Sequence, residues 1–576
     1  MRLKRYVPIL DWLPKYKLKF LGNDLLAGLT VGVMLIPQGM AYGLLAGLDP
    51  IYGLYAGIVP LILYPLFGTS GQVSIGPTAL VSLLVLAGVS QLEEPGTGRY
   101  LELAVITAMM AGLIQVGLGL FKWGFLINFL AHPVISGFTS AAAIIIGLSQ
   151  FNNLFGLSLE RSNQIHVVLQ ALFSHLQDIH WPTFLLGVGA IVFMLIIRRI
   201  NRAIPAALLV AVMGILIAKY AQLNTVGVAI LEDIPKGLPT FSAPGISLRD
   251  IQQLLPLALT ISVISFIESL AIASAISKKY KLPKVDPDQE LLALGVTKLV
   301  GSFFQAFPTT GSFSRSAVNG EAGAKTGLSS FFAALLLGIT LLFFTPLFYY
   351  LPKAVLAAII MVSVIGLINI KEAIHLFRTD RRDFYTLLAT FLATLILGIQ
   401  LGVLTGLLLS IAFMVYQNAK PHSAVLGRVP DTQHYRNIHR FNQAIQREDI
   451  LIIRFDAQLY FGNAAFFEAE VDQQLKKCNK ERLKLLILDM SNVHDLDSTG
   501  VHALEEMLGK LKQSGVDFKM ANPIGPLRDA LTRHGLTTKI GVENCYLSVS
   551  DAVAAYEQSE ITQTPSRALH DHWRKT

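Results

Sequence analysis

The chain has 576 residues, 53% of them hydrophobic and only 15% charged, with 47 Lys and Arg against 39 Asp and Glu for a net charge of +8. Soluble domains carry roughly 25% charge, so most of this chain is expected to face lipid. The positive excess clusters between apolar runs, which points to loop bias in a membrane protein and away from a nucleic-acid partner. With only two cysteines, Cys478 and Cys545, both in the polar tail, a disulfide framework is excluded and a reducing compartment suits that tail.

The opening stretch MRLKRYVPILDWLPKYKLKF is basic but has no short apolar core before a small-residue cleavage site. Residues 1–23 therefore read as a retained N-terminal segment and not as a cleaved signal. From residue 24 to 418 the chain alternates apolar runs with charged or Pro/Gly breaks, giving about fourteen segments. Trp181 to Ile197, Leu328 to Leu351 and Thr386 to Met414 are examples, the last long enough for two short spans. Four basic clusters test the orientation: the N-terminal stretch with Arg2, Lys4, Arg5, Lys15, Lys17 and Lys19; Arg198, Arg199 and Arg202; Lys278, Lys279, Lys281 and Lys284; Lys371, Arg378, Arg381 and Arg382. In a fourteen-span count they precede span 1 and follow spans 6, 8 and 12, so all four are cytoplasmic when the N-terminus is inside. The loop with Glu93 and Glu94 and the segment Gln222 to Pro256 then lie outside, and an even count returns the tail to the cytoplasm of a multi-pass cell-membrane protein.

Span 1 contains Ile36-Pro37-Gln38-Gly39-Met40-Ala41-Tyr42, where proline and glycine are expected to open the helix. Gln38 and Tyr42, four apart, share a face and either line a cavity or mark a packing kink with an interfacial tyrosine. Two further breaks are Gly71-Gln72-Val73-Ser74-Ile75-Gly76-Pro77-Thr78-Ala79 and Pro308-Thr309-Thr310-Gly311-Ser312-Phe313-Ser314-Arg315-Ser316-Ala317. They fall in spans 3 and 10, seven apart, as an inverted repeat of two odd-numbered halves requires. Each reads as a short extended stretch, with Val73 and Ile75 in one and Phe313 in the other, followed by a helix start, with Pro77 in a first helical turn. Two half-helix N-termini meeting near the midplane would attract an anion. Thr78 and Ala79 head one of them. At the other, Arg315 adds a full charge and Ser312, Ser314 and Ser316 add hydroxyl donors. The alternative is that these are ordinary packing and kinking residues, with an arginine that snorkels. Glu268 has no other charge near it until Lys278. A carboxylate there is costly unless it faces a cavity, is protonated or meets a cation, so it is either a proton-coupling group or a structural partner of Arg315 or Lys298.

These segments resemble the SulP family of sulfate permeases and related anion transporters. The resemblance runs through Pro37-Gln38-Gly39-Met40-Ala41-Tyr42, Ile51-Tyr52-Gly53-Leu54-Tyr55, Val73-Ser74-Ile75-Gly76-Pro77, Gly311-Ser312-Phe313-Ser314-Arg315-Ser316 and Leu426-Gly427-Arg428-Val429-Pro430, and covers nearly the whole chain. It implies a polytopic α-helical membrane protein of two inverted seven-span repeats, forming core and gate subdomains with elevator-like alternating access. It also implies an anion held between the N-termini of spans 3 and 10 by side chains matching Gln38, Tyr42, Thr78, Ser314 and Arg315, with the acidic residue of span 8, here Glu268, tied to proton or sodium coupling. Lys298 departs from the family pattern, where many relatives carry Asn.

Beyond Gln417 the composition turns polar. Residues 419–445 are expected to be a linker, 446–560 a small α/β domain and 561–576 a polar tail. Ile450 to Phe455 and Leu483 to Met490 read as buried strands. Ser498 to Gly515 reads as an amphipathic helix with Val501, Leu504, Met507, Leu508 and Leu511 on one face. The run Asp495-Leu496-Asp497-Ser498-Thr499-Gly500 resembles the STAS domain of anti-sigma-factor antagonists, in which a hydroxyl of this motif is phosphorylated. Ser498 or Thr499 is therefore either a phosphorylation switch or, with Asp497, a plain helix cap.

No P-loop, metal-ligand spacing or catalytic triad is present, so neither an enzyme nor a metal or cofactor is expected. The expected function is secondary active transport of a small inorganic oxyanion, with proton-coupled sulfate uptake first. Sodium-coupled bicarbonate transport, an exchanger or channel, and a membrane-anchored anion sensor signalling through the STAS-like domain are the alternatives. The resemblance adds a homodimer formed partly through that domain.

Overall fold

The computed structural model of the chain describes residues 6–125, 131–157, 170, 174–200 and 204–562. Arg2, Lys4, Arg5 and Arg202 of the basic clusters, and the polar tail from residue 563 on, lie outside the described residues. Residues through Ser410 form one compact unit and residues from Ile411 a second.

The first half of the membrane region runs α1 (Leu21–Leu45), α2 (Pro50–Phe67), β1 (Ile75–Gly76), α3 (Ala79–Val89), α4 (Gly98–Leu120), α5 (His132–Ser149), α6 (Trp181–Ile200) and α7 (Ala206–Tyr220). The second runs α8 (Leu248–Tyr280), α9 (Pro287–Ser302), β2 (Thr310–Gly311), α10 (Phe313–Glu321), α11 (Leu328–Ile339), α12 (Lys353–Ile365), α13 (Ile370–Thr379), α14 (Arg381–Leu397) and α15 (Ile399–Ala419). Among the described residues, nine helical stretches are long and apolar enough to cross a membrane, and α3 and α7 are shorter apolar helices. With α9, α10 and α14 they make up the expected set of about fourteen, leaving α13 as an insert. The long run Thr386 to Met414 is divided by Gly398, whose φ of +89° suits glycine and separates α14 from α15.

The two short extended stretches meet. β1 and β2 pair antiparallel, Ile75 opposite Gly311 and Gly76 opposite Thr310. Equivalent elements of two halves running in opposite senses is what an inverted repeat produces. Around this pair, α1–α4 pack with α8–α11 in one bundle, while α5–α7 pack with α12 and α14 in another, and α1 and α12 meet along the seam. Small residues allow the close crossings. A Cβ on Gly295 of α9 would stand 2.6 Å from the Val116 amide nitrogen of α4, and one on Gly28 of α1 would strike Ser329 of α11.

Three local expectations are corrected. The helix of span 1 does not open at Pro37: α1 is continuous, with Gly39 packed against Gly53 of α2. These glycines serve close helix packing, and the proline only removes the hydrogen bond to the Val33 carbonyl. α8 begins at Leu248, inside the segment Gln222 to Pro256, because Ser247 and Asp250 form a reciprocal cap and Asp250 pairs with Arg99 at 2.6 Å. Pro77 lies outside α3, whose N-cap is Thr78, and Phe313 is the first residue of α10 instead of part of its extended lead.

In the second unit, residues 419–445 are not a free linker. They carry β3 (Ser423–Arg428) and β4 (Tyr435–Asn437), which join β5 (Ile450–Phe455), β6 (Leu485–Asp489), β7 (Asp517–Ala521) and β8 (Cys545–Tyr546) in one sheet of order β4-β3-β5-β6-β7-β8. β5 to β8 are parallel, and β3 is antiparallel to both neighbours. Helices α16 (Ala464–Lys477), α17 (Ser498–Gln513), α18 (Gly525–Arg533) and α19 (Leu536–Ile540) cover one face, and α20 (Val549–Thr562) covers the other. Val501, Leu504, Met507 and Leu511 are buried as the helical spacing requires, with Leu508 packed at the edge.

Candidate functional site

α3 and α10 begin immediately after the paired strands, so their N-termini face a common centre. Thr78, with extended backbone, caps α3, and Ser312 caps α10 through a hydroxyl that accepts from the Arg315 amide. The first-turn N–H groups of both helices have no intrahelical acceptor, and each end carries about half a positive charge.

Arg315 lies on that first turn and is completely buried. Its side chain crosses from the second half to the first: Nε donates to Ser74 Oγ at 3.4 Å, and Nη1 to Pro77 O at 3.2 Å and Gln38 Oε1 at 3.5 Å. These are long for charge-assisted bonds, which usually close to about 2.8 Å. Its Nη2 is buried and has no partner among the described residues. Gly76 makes this possible, since a Cβ there would stand 3.2 Å from that nitrogen. Thr78 Oγ1 and Ser82 Oγ, one helical turn apart on α3, are also buried without partners.

The remaining expected residues divide. Gln38 and Tyr42 are buried on one face of α1, and Gln38 touches Arg315. Ala79 is the first residue of α3 and is buried; Ser314, on the first turn of α10, is exposed. Ser316 is used differently: its hydroxyl accepts the Ser74 amide at 2.9 Å and ties α10 to β1. Glu268 sits on α8 between Ser265 and Ser269, which hold β2 through Thr310 and the Gly311 amide. It makes no ion pair with Arg315 or Lys298 among the described residues, and its Oε2 has no partner. Lys298 is buried elsewhere in the bundle and donates to Gln115 Oε1 at 2.9 Å.

Ser74, Ser82, Ser269 and Thr310 were not singled out by sequence. Ser74 and Thr310 belong to hydroxyl-rich breaks, which gave a signal. Ser82 and Ser269 sit in ordinary helical sequence, and only the folded arrangement brings them here.

In the soluble unit, Asp497 caps α17 by accepting the Gly500 amide at 2.8 Å and also takes the Phe461 amide at 2.9 Å. Ser498 and Thr499 are exposed on the first turn. Cys545 is buried and Cys478 half-buried, and both are free.

A buried guanidinium with an unused N–H, two helix N-termini and two unused hydroxyls can surround a small anion with donors from several directions. Residues 21–390 match the model of the sulfate permease family, and residues 442–552 match that of the STAS domain. The chain is 40% identical over 588 aligned residues to an Arabidopsis thaliana protein named probable sulfate transporter 4.2, covering 99% of this chain and 86% of that one. It is 39% identical to the chloroplastic sulfate transporter 4.1 of the same organism, covering 95% and 82%. The structure of the murine Solute Carrier 26 family member A9 anion transporter in its inward-facing state superposes with a TM-score of 0.89 at 27% identity, covering 96% of this chain and 94% of that one.

Proposed function

Because this chain belongs to the sulfate permease family, with a C-terminal STAS domain, we propose that it is a secondary transporter that carries sulfate across the membrane by binding it between the N-termini of α3 and α10. The observation that carries this reading is Arg315, fully buried where it bridges the two breaks to Ser74, Pro77 and Gln38 with one N–H unsatisfied, together with the unsatisfied buried hydroxyls of Thr78 at the N-cap of α3 and Ser82 one turn further on. Leaving such groups unpaired is costly, and a tetrahedral oxyanion offers acceptors in several directions at once. Gln38 and Tyr42 line the approach from α1, Ala79 and Ser314 contribute first-turn amides, and Ser316 sets the spacing of the two breaks.

Glu268 is the proposed proton-coupling group. Its unpartnered carboxyl oxygen, beside the serines that hold β2, supports this role. Sliding of the bundle that contains α3 and α10 against the one containing α5 and α12 is the proposed elevator step, with a homodimer as the assembled form, N-terminus and STAS domain facing the cytoplasm. Ser498 and Thr499 are proposed phosphoacceptors; mass spectrometry of protein from cells that shows only unmodified peptide withdraws that assignment.

Uptake of labelled sulfate and bicarbonate into proteoliposomes under imposed proton or sodium gradients tests the main reading. Sulfate accumulation driven by a proton gradient is expected. Flux of bicarbonate alone, driven by sodium, would replace sulfate with the second substrate, and no flux of either anion would replace the carrier with an anion sensor.

A further inference from the structure

The segment between α12 and α14 carries a feature that transport does not use. α13 is ten residues long, IKEAIHLFRT, and its side chains fall into three sectors around the helix. Leu376 is buried against the protein, with Glu372 and Ala373 half-buried beside it. Next around the helix come Ile370, Ile374 and Phe377, spaced i, i+4, i+7, which are 65%, 50% and 55% exposed. Beyond them lie Lys371, His375 and Arg378, all exposed. Arg381 and Arg382, at the start of α14, extend the basic sector.

The helix is fixed at its start and end. Asn369 caps it and donates its amide to Ser140 of α5 at 3.2 Å, and Glu372 lies 3.5 Å from the His132 imidazole at the start of α5. Phe377 stacks edge-on against Phe384 of α14 at 5.1 Å between ring centroids, and Tyr385 beside it is exposed. Of the nearby acids, Asp380 caps α14 by accepting the Arg382 and Asp383 amides, Glu372 faces His132, and Asp383 sits on the first turn of α14. By contrast, Lys371, Arg378, Arg381 and Arg382 make no ion pair with a carboxylate among the described residues.

We propose that α13 is an interfacial helix that docks on a negatively charged lipid surface, with Ile370, Ile374 and Phe377 in the acyl boundary and Lys371, Arg378, Arg381 and Arg382 on lipid phosphates. Two observations favour lipid as the occupant. α13 follows one span, α12, after four residues and precedes another, α14, by one, which holds it at bilayer level, and its outer face is apolar beside a run of cations without ion pairs among the described residues, complementary to an anionic leaflet and not to bulk water. The aromatic pair at its end suits the same interface.

The test uses the full-length chain with Cys478→Ser and Cys545→Ser, a single Ile374→Cys labelled with an environment-sensitive fluorophore, and vesicles of phosphatidylcholine alone or with one-quarter phosphatidylglycerol. Expected are a blue-shifted emission in vesicles and iodide quenching at least threefold weaker with phosphatidylglycerol than without, the difference shrinking in high salt. Replacing Lys371, Arg378, Arg381 and Arg382 together by Gln removes the lipid-charge dependence. The proposal is overturned if the label in the unmutated background is quenched equally in both vesicles. It is also overturned if protection is already complete in detergent, which would mean a second copy of the chain or another protein covers the face. Because the first comparison needs no charge variant, misfolding of the quadruple variant does not decide the result.

Discussion

Arg315 joins the two halves of the membrane region through one side chain, and its neighbours divide into groups proposed to bind sulfate and groups that brace the breaks. Replacing it by Ala should weaken sulfate binding more than tenfold in a scintillation-proximity assay, and Lys should restore only part, because an ammonium lacks the planar fork that reaches Pro77 and Gln38 while leaving an N–H free. An exposed cation, Arg249 of α8, serves as the comparison; equal losses at both positions would remove Arg315 from the site. Ser316→Ala should behave in the opposite way. It leaves the buried Ser74 amide without its acceptor, costing about 1–3 kcal/mol, and so should lower the melting temperature more than it changes affinity for sulfate. In the soluble unit, burial pushes the Cys545 thiol up to about 12, whereas Cys478 is raised without being sealed off. At pH 8, iodoacetamide should therefore label Cys478 first and reach Cys545 only on unfolding; equal rates in the native protein would contradict the packing of β8. Residue types were visible in sequence here and their duties were not. Ser314 and Ser316 are two positions apart and chemically identical, yet one is exposed on the first turn and the other is spent on a backbone amide.

At the scale of elements, the short strands are held by α8: Ser269 takes the Gly311 amide and Ser265 takes the Thr310 hydroxyl. Any shift of α8 thus moves β2, and with it the start of α10. The crossing of α4 and α9 is similarly tight, so Gly295→Leu should overpack it by roughly 1–3 kcal/mol or more and lower the melting temperature of the detergent-solubilised protein. Around β5 of the soluble unit, Arg447 bridges Asp449 and Glu557, clasping the strand's entry to α20. The hydrogen bond from Arg447 holds the Asp449 carboxyl below its ordinary value. A carboxylate lowered on folding stabilises the folded state above its unfolded pKa, near 4, and that contribution disappears as pH falls through the folded value. Amide exchange in β5 should accordingly be faster in Asp449→Asn than in the parent at pH 7, with the gap narrowing as pH falls below 4 towards the lowered folded value; a gap that does not narrow at all with acidification would assign the effect to packing. The amphipathic pattern of α17 and the apolar β5 and β6 were legible because period 3.6 and short apolar runs have few competing explanations. β3 and β4 were missed: β3 has four consecutive buried positions but only Ala424, Val425 and Leu426 as its apolar run, with Gly427 completing it, and β4 is a three-residue edge strand with no buried position, so neither has a pattern strong enough to distinguish it from a linker.

For the whole molecule, the proposed proton coupling is the property that no single contact would supply. Glu268→Gln should abolish sulfate accumulation driven by an imposed proton gradient while leaving sulfate–sulfate exchange in proteoliposomes measurable, since exchange needs the site and the moving bundle but no net proton. Accumulation that survives with its proton dependence intact would assign coupling elsewhere. The amino-acid sequence by itself determined that this is a polytopic membrane protein of about fourteen segments, that two interrupted segments occupy equivalent places, and that an α/β domain follows. Each of these depends on composition and local period, which burial in lipid or in a core imposes along the chain. Tertiary structure alone decided that β1 and β2 pair, that Arg315 reaches back to Gln38 and Pro77, that Glu268 makes no direct ion pair with Arg315 or Lys298 among the described residues, and that α1 stays intact through Pro37. Those outcomes depend on residues up to 277 positions apart, and their energies come from close packing and the satisfaction of buried polar groups, which no local pattern encodes.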